Sequence, residues 1–290
     1  MNKKLLIAFV SLILITLAAC GSSDADATDN GETTHVKIGV NGADGVQWPI
    51  LQEKAAAEGI EIELIEFADY TLPNDALAQG DIDINAYQHI AFLGQYVVES
   101  GNELVPIGST VLAPIGLYSE EIDDVSEIEE GAAIAIPDDP SNQARALRLL
   151  ESADLITLSD SFGMFGDPSQ IEENPLNLDI VPMVAQQTVH VLPDVTASII
   201  NNGVAGQAGL SPGEDPIYIE SADGEATHPY VNIIAAREED KNNEVYQRIV
   251  ELYQEEDIEQ AIDDDTNGGS FLVKLTQEEL DKAFEALKAE

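Results

Sequence analysis
Short apolar runs with strand character alternate with helical patterns along this chain, and the alternation starts twice. Val36 to Val40 reads as a first buried strand, and Trp48 to Ala57 as a helix closed by Gly59. Ile60 to Phe67 alternates apolar with acidic residues, Leu72 to Ala78 forms a short helix ended by Gly80, and Ile82 and Ile84 mark a third strand. A helix from Ala91 to Val98 and a strand from Leu104 to Val111 follow. The pattern restarts with a strand from Gly131 to Ile136. A helix comes next, starting near Ser141 and running from Asn142 to Ser152 with Ala144, Leu147 and Leu150 on one face. Leu178 to Val181, Ala197 to Ile200 and Tyr230 to Ala236 are further strands, and three acidic helices end at Lys288. Units of ~30 residues of this kind predict parallel sheets joined by crossover helices. Two such series predict an α/β protein of two lobes, each a sheet flanked by helices, with a ligand cleft between them at the carboxyl ends of strands.

Ahead of the first strand lies a segment of different character. Lys3 and Lys4 precede an apolar stretch from Leu5 to Leu17, and small residues Ala18 and Ala19 lead to Cys20, the sole cysteine. A basic start, an apolar run and small residues at a cut site describe a secretory signal, here residues 1–19. At ~13 residues the run is too short to span ~30 Å of hydrocarbon. With the cysteine directly after the small pair, the pattern resembles the lipobox of bacterial lipoproteins, which implies lipidation of Cys20 and an extracytoplasmic, membrane-tethered protein. GSSDADATDNGETT follows without a large apolar residue, so residues 20–34 are expected to be a flexible leash, with the fold starting near His35.

The charge balance is extreme, with 55 Asp+Glu against 12 Lys+Arg. Such a surface excludes nucleic acid as a natural partner, because phosphate binding needs a basic footprint. Like charges at this density repel, so added salt is expected to stabilise the fold. Enzyme signatures are scarce: there is no G-x-S-x-G elbow, no phosphate-cradling glycine loop and no cysteine in the body. His35, His89, His190 and His228 lack metal spacing, so neither metal nor cofactor is expected.

Four segments are candidate binding elements. In DDPSNQARAL the helix start suits an anion and Arg145 is one of few arginines; residue physics leaves it evenly placed between a ligand carboxylate and a surface carboxylate. NAYQHIAFL places Tyr87, His89 and Phe92 between a strand and a helix, where aromatics serve either core packing or a side-chain pocket. Asn201 and Asn202 follow a strand end, and Asn232 interrupts an apolar strand. Their amides match the ammonium and carboxylate of a free amino acid.

Together these segments resemble the NlpA/MetQ family of substrate-binding lipoproteins of methionine-type ABC importers. The residues that carry this are EFADYTLPNDALAQGDIDINAYQHIAFL, IAIPDDPSNQARALRLL, IINNGVA and PYVNIIAAREEDK, in the family's order, with similarity from about Val36 to Glu290. The resemblance implies a two-lobed periplasmic-binding-protein fold, with residues 35–112 and 231–290 in one lobe and 113–230 in the other. It implies that Arg145 pairs with the ligand carboxylate, that Tyr70, Tyr87, His89 and Phe92 line the side-chain pocket, and that Asn201, Asn202 and Asn232 bind the ligand backbone. The implied partners are a small amino acid or short peptide, an ABC permease with its ATPase, and the membrane through Cys20, for a protein acting as a monomer without catalysis. A lipid-anchored enzyme and a surface interaction protein are the alternatives. The chain departs from the family after the first strand, where Asn41-Gly42-Ala43-Asp44-Gly45 replaces a Pro-Gly-Pro-His-like stretch, and Trp48 is placed to fill pocket space.

Overall fold
A computed structural model describes residues 33–289. Signal residues 1–19, Cys20 and the leash as far as Glu32 lie outside them. The first half of the chain builds most of one sheet. Strand β1 (Thr34–Val40) leads through helix α1 (Gln47–Ala57) to β2 (Ile60–Glu66), then through α2 (Pro73–Gln79) to β3 (Ile84–His89), and through α3 (Ile90–Ser100) to β4 (Leu104–Leu112). A second sheet begins with β5 (Gly116–Tyr118) and β6 (Ala133–Pro137), followed by α4 (Pro140–Ser152). A small pair, β7 (Thr157–Leu158) and β8 (Ile171–Glu173), precedes β9 (Asp179–Met183), β10 (Ala197–Ile200), α5 (Asn202–Gln207) and β11 (Tyr218–Ile219). The chain then re-enters the first sheet as β12 (Val231–Arg237) and closes with α6 (Glu244–Tyr253), α7 (Glu256–Thr266), β13 (Phe271–Leu272) and α8 (Gln277–Leu287).

The six-stranded first sheet has the order β13-β4-β12-β3-β1-β2, and the five-stranded second sheet β11-β5-β10-β6-β9. Where a helix connects neighbouring strands the pairing is parallel, as in β1 with β2, because the crossover returns the chain to the same edge. The parallel pairs expected from the alternation are present, but both sheets are mixed. Strand β12 runs antiparallel to both β3 and β4, and β10 antiparallel to β5. The direction of β12 depends on where the chain returns from the second lobe; its run VNIIAAR is apolar on both faces and suits either polarity.

Each sheet has its own core. Val36, Ile38, Leu51, Ile84, Leu93, Ile233 and Phe284 belong to the first, and Leu117, Ile134, Ala146, Leu147, Leu150 and Ile199 to the second. Helix α4 is buried on most sides, starting on Pro140 at its first position with Asp139 as cap. The chain crosses between sheets over residues 113–115 and returns over 220–230. The loop after α5 and the loop after α7 also meet, backbone to backbone. A Cβ on Gly213 would lie 2.5 Å from the Asn267 carbonyl oxygen, and one on Gly269 2.7 Å from the Gly213 nitrogen. Only glycine allows that approach. No helix of the described residues is long and apolar enough to cross a membrane.

Candidate functional site
A cavity of about 410 Å³ lies where the ends of the two sheets face each other, a size suited to a small organic molecule. Asn41 follows the end of β1, His89 ends β3, Asn201 follows β10, and Asn142 and Arg145 sit in the first turns of α4 after β6. All nine candidate residues singled out from the sequence, Trp48, Tyr70, Tyr87, His89, Phe92, Arg145, Asn201, Asn202 and Asn232, line this one space.

One wall is aromatic. Tyr70, Tyr87 and Phe92 form a triangle with ring centroids 6.0–6.1 Å apart. Phe92 stands edge-on to both tyrosines, and the Tyr87 hydroxyl donates to the Tyr70 carbonyl at 3.1 Å. Burial pushes both phenols upward in pKa, so they stay neutral hydrogen-bonding groups. The segment NAYQH was expected to link a strand to a helix; it is strand β3 itself, and His89 caps α3 by accepting from the Phe92 N–H at 3.1 Å. Beneath it Asn74, Asn85 and Gln88 bond one another in a buried network, which offsets the cost of polar groups there and fixes β3 against α2. Trp48 is buried in α1, donates from Nε1 to the Gly42 carbonyl at 3.0 Å, and packs on Tyr253 at 5.9 Å.

The facing wall is polar, and its hydrogen-bond directions follow from its chemistry. An ionised Asp139 carboxylate can only accept, so the Asn142 side chain turns Nδ2 toward it, at 3.0 and 3.2 Å. That leaves Asn142 Oδ1 facing His89 Nε2 at 3.2 Å and Asn201 Nδ2 at 2.8 Å. His89 already accepts at Nδ1, so the proton sits on Nε2 and the ring is neutral. Burial and, secondarily, Arg145 push its pKa down to about 3 despite the bond that it donates to Asn142. Burial raises Asp139, against the lowering effect of bonds from Asn142 and Ser141. The sequence suggested an anion site at this helix start. Asp139 itself fills it, accepting from the Asn142 backbone N–H at 3.0 Å.

Arg145 has the environment of a central fastener. Its side chain is 3% exposed. Nε donates to both Glu220 oxygens at 2.9 and 3.1 Å, and Nη2 donates to Glu220 and, at 3.0 Å, to the Ala113 carbonyl. Its guanidinium carbon lies 4.5 Å from the Tyr230 ring centre. Ala113 belongs to the first crossing, Glu220 and Tyr230 to the return, so one side chain touches both. Of the two readings left open for Arg145, the pairing with a carboxylate of its own chain is present, and the side chain also lines the cavity. Glu220 went unnoticed among many acidic residues, since nothing local marks a carboxylate whose partner lies 75 positions away.

The adjacent asparagines behave differently. Asn201 Oδ1 is buried with no partner among the described residues. The Asn202 amide is engaged, donating to the Gly269 carbonyl at 2.7 Å and accepting from Ser270 Oγ at 3.2 Å. Asn232 stands opposite His89 in the β12–β3 ladder and lines the cavity. Asn142, the hub of the polar wall, was missed although it lies inside the DDPSNQARAL segment, because its partners His89 and Asn201 lie 53 and 59 positions away.

Known proteins share the sequence and fold of this chain. The profile of the family described as NlpA lipoprotein matches residues 36–273. The D-methionine-binding lipoprotein MetQ of Salmonella typhimurium is 38% identical over 260 residues, 88% of this chain and 92% of that protein. The crystal structure of protein PG110 from Staphylococcus aureus superposes with a TM-score of 0.84 at 44% identity, covering 87% of this chain and 99% of that one. The substrate binding protein of a methionine transporter from Streptococcus pneumoniae gives a TM-score of 0.78 at 33% identity, covering 82% and 95%.

Proposed function
The chain belongs to the NlpA lipoprotein family, and on that premise we propose that it is an extracytoplasmic solute-binding lipoprotein delivering methionine, or a related small amino acid or short peptide, to an ABC importer. It works by closing its lobes on the ligand, without catalysis and as a monomer, and lipid on Cys20 tethers it to the membrane. The observation that carries the ligand class is the pairing, in one cavity, of an aromatic wall with a polar wall that holds a buried acceptor without a partner, Asn201 Oδ1. An apolar side chain suits the rings, an ammonium suits the acceptor, and a carboxylate suits the free Nη1 end of Arg145. A relative named for D-methionine binding and a structural neighbour from a methionine transporter support the same class.

Calorimetric titration with the twenty amino acids, both methionine enantiomers and methionine dipeptides tests the reading. Saturable binding of a methionine-type ligand is expected, and failure of every amino acid and dipeptide to bind refutes it. Cys20→Ala tests the tether: the protein should leave the membrane fraction or persist as an uncleaved precursor.

A further inference from the structure
We propose that Glu220 makes this site selective for zwitterions, by neutralising Arg145 from behind and so denying a bare anion any net attraction. The inference rests on the reading of the cavity as an amino-acid site.

Glu220 does not line the cavity, yet it takes the Nε and Nη2 edge of Arg145 through both carboxylate oxygens. Nη1 takes no partner among the described residues, so this edge of the guanidinium is what a ligand meets. Glu220 is fixed in place by more than the ion pair. Its carboxylate accepts from the Ile115 N–H at 3.3 Å, and its own N–H donates to the Ile115 carbonyl at 3.0 Å. Its side chain is 18% exposed, so water screens the pair only in part. Swinging Glu220 aside for an incoming carboxylate would break its bonds to Arg145 and to the first crossing and leave a carboxylate without its partner.

The Arg145–Glu220 pair therefore presents hydrogen-bond donors with no net charge. The other charged residues lining the cavity are Asp44 and Asp265, both acidic, and the neighbouring His89 is neutral. A carboxylate entering alone would add a negative charge to surroundings that are already neutral to negative. A zwitterion carries its own compensating cation, and Asn201 Oδ1 offers that cation an acceptor. An arginine free of Glu220 would instead favour any carboxylate, with or without an ammonium.

The test compares three probes by calorimetry at about pH 6, where an α-amino group is protonated and a carboxylate ionised: methionine, methionine amide and 4-(methylthio)butanoate. In the wild-type protein the cationic amide should bind at least about tenfold more tightly than the anionic butanoate. Glu220→Gln keeps an acceptor for Arg145 but removes the negative charge. It should tighten butanoate at least about tenfold relative to the amide, narrowing or reversing the order. Equal weakening of all three probes by Glu220→Gln would assign Glu220 a purely structural role and overturn the proposal. A wild-type preference for butanoate over the amide overturns it without any variant, which keeps the test decisive if Glu220→Gln does not fold. Methionine binding with the wrong analogue order refutes this inference alone, whereas no binding of any amino acid refutes the functional reading together with it.

Discussion

Tyr70, Tyr87 and Phe92 line the cavity from the first lobe with three rings joined by one hydrogen bond, Tyr87 to the Tyr70 carbonyl. Asp139, Asn142 and Asn201 line or support it from the second lobe with a chain of bonds in which each group fixes the orientation of the next, and Arg145 is held beside them by Glu220 and the Ala113 carbonyl. The two walls tolerate change differently. Apolar packing against rings is non-directional and loses stabilisation in proportion to the area removed. A buried polar chain loses more when one link is cut, because the partners left behind have already lost their water. The second wall should therefore respond to mutation steeply, and the first gradually.

The largest effect is expected at Arg145. Arg145→Ala should weaken ligand binding by roughly 2–5 kcal/mol, about thirty-fold to several thousand-fold. Arg145→Lys should recover only part, since an ammonium cannot span the same set of acceptors. An arginine serving ligand alone would leave the ligand-free fold untouched. Here Glu220 and the Ala113 carbonyl also depend on it, so the ligand-free melting temperature should fall too. Unchanged melting with lost binding would show that the Glu220 pair adds nothing to stability.

Asn142→Ala comes next. It strips a partner from Asp139, His89 and Asn201 at once, and should lower unfolding free energy by about 3 kcal/mol in urea titration. Phe92→Leu on the facing wall should cost about 1 kcal/mol and mainly shift preference among ligand side chains. Equal losses from the two would erase the distinction between the walls.

Acid sharpens the contrast further. His89 stays neutral in the fold down to about pH 3 but is protonated below its ordinary value of 6.5 when unfolded. The unfolded state then binds more protons, so stability falls as pH drops from 6.5 toward 3, by up to about 1.4 kcal/mol per pH unit. Asp139 acts in the opposite sense: its raised pKa favours the fold in acid, a contribution lost as pH rises through that value. His89→Gln should flatten the slope of urea midpoint against pH between 6.5 and 4.5. A slope unchanged by this substitution would put the acid sensitivity elsewhere.

The smallest expected effect belongs to neither wall. With a formal net charge of −43, the chain should gain a few degrees of melting temperature between dilute buffer and molar salt as self-repulsion is screened. The Arg145–Glu220 pair, largely buried, should contribute little to that change, so Arg145→Ala should keep the same salt response. A steeper or flatter response in the variant would mean that the pair is screened like a surface contact.

Periodicity and local chemistry determined much of this protein. Apolar spacing located every α-helix except α5 and the longer strands, because burial of one face imposes a 3.6- or two-residue repeat that is visible locally; the short strands β5, β7, β8, β11 and β13 left no such repeat. The resemblance, carried by four ordered segments, named eight residues that share one cavity, and a departure from the family added Trp48. The tertiary structure alone decided the rest. Strand β12 runs antiparallel because the chain returns from the second lobe before entering between β3 and β4. Asn201 keeps an acceptor free while Asn202 is tied to Gly269, although the two are identical and adjacent. Glu220 became the partner of Arg145 because both crossings bring it there. A side chain's repeat is set by its neighbours in sequence, but its hydrogen-bond partner is set by whatever folding places within 3 Å of it, and no local pattern encodes that distance.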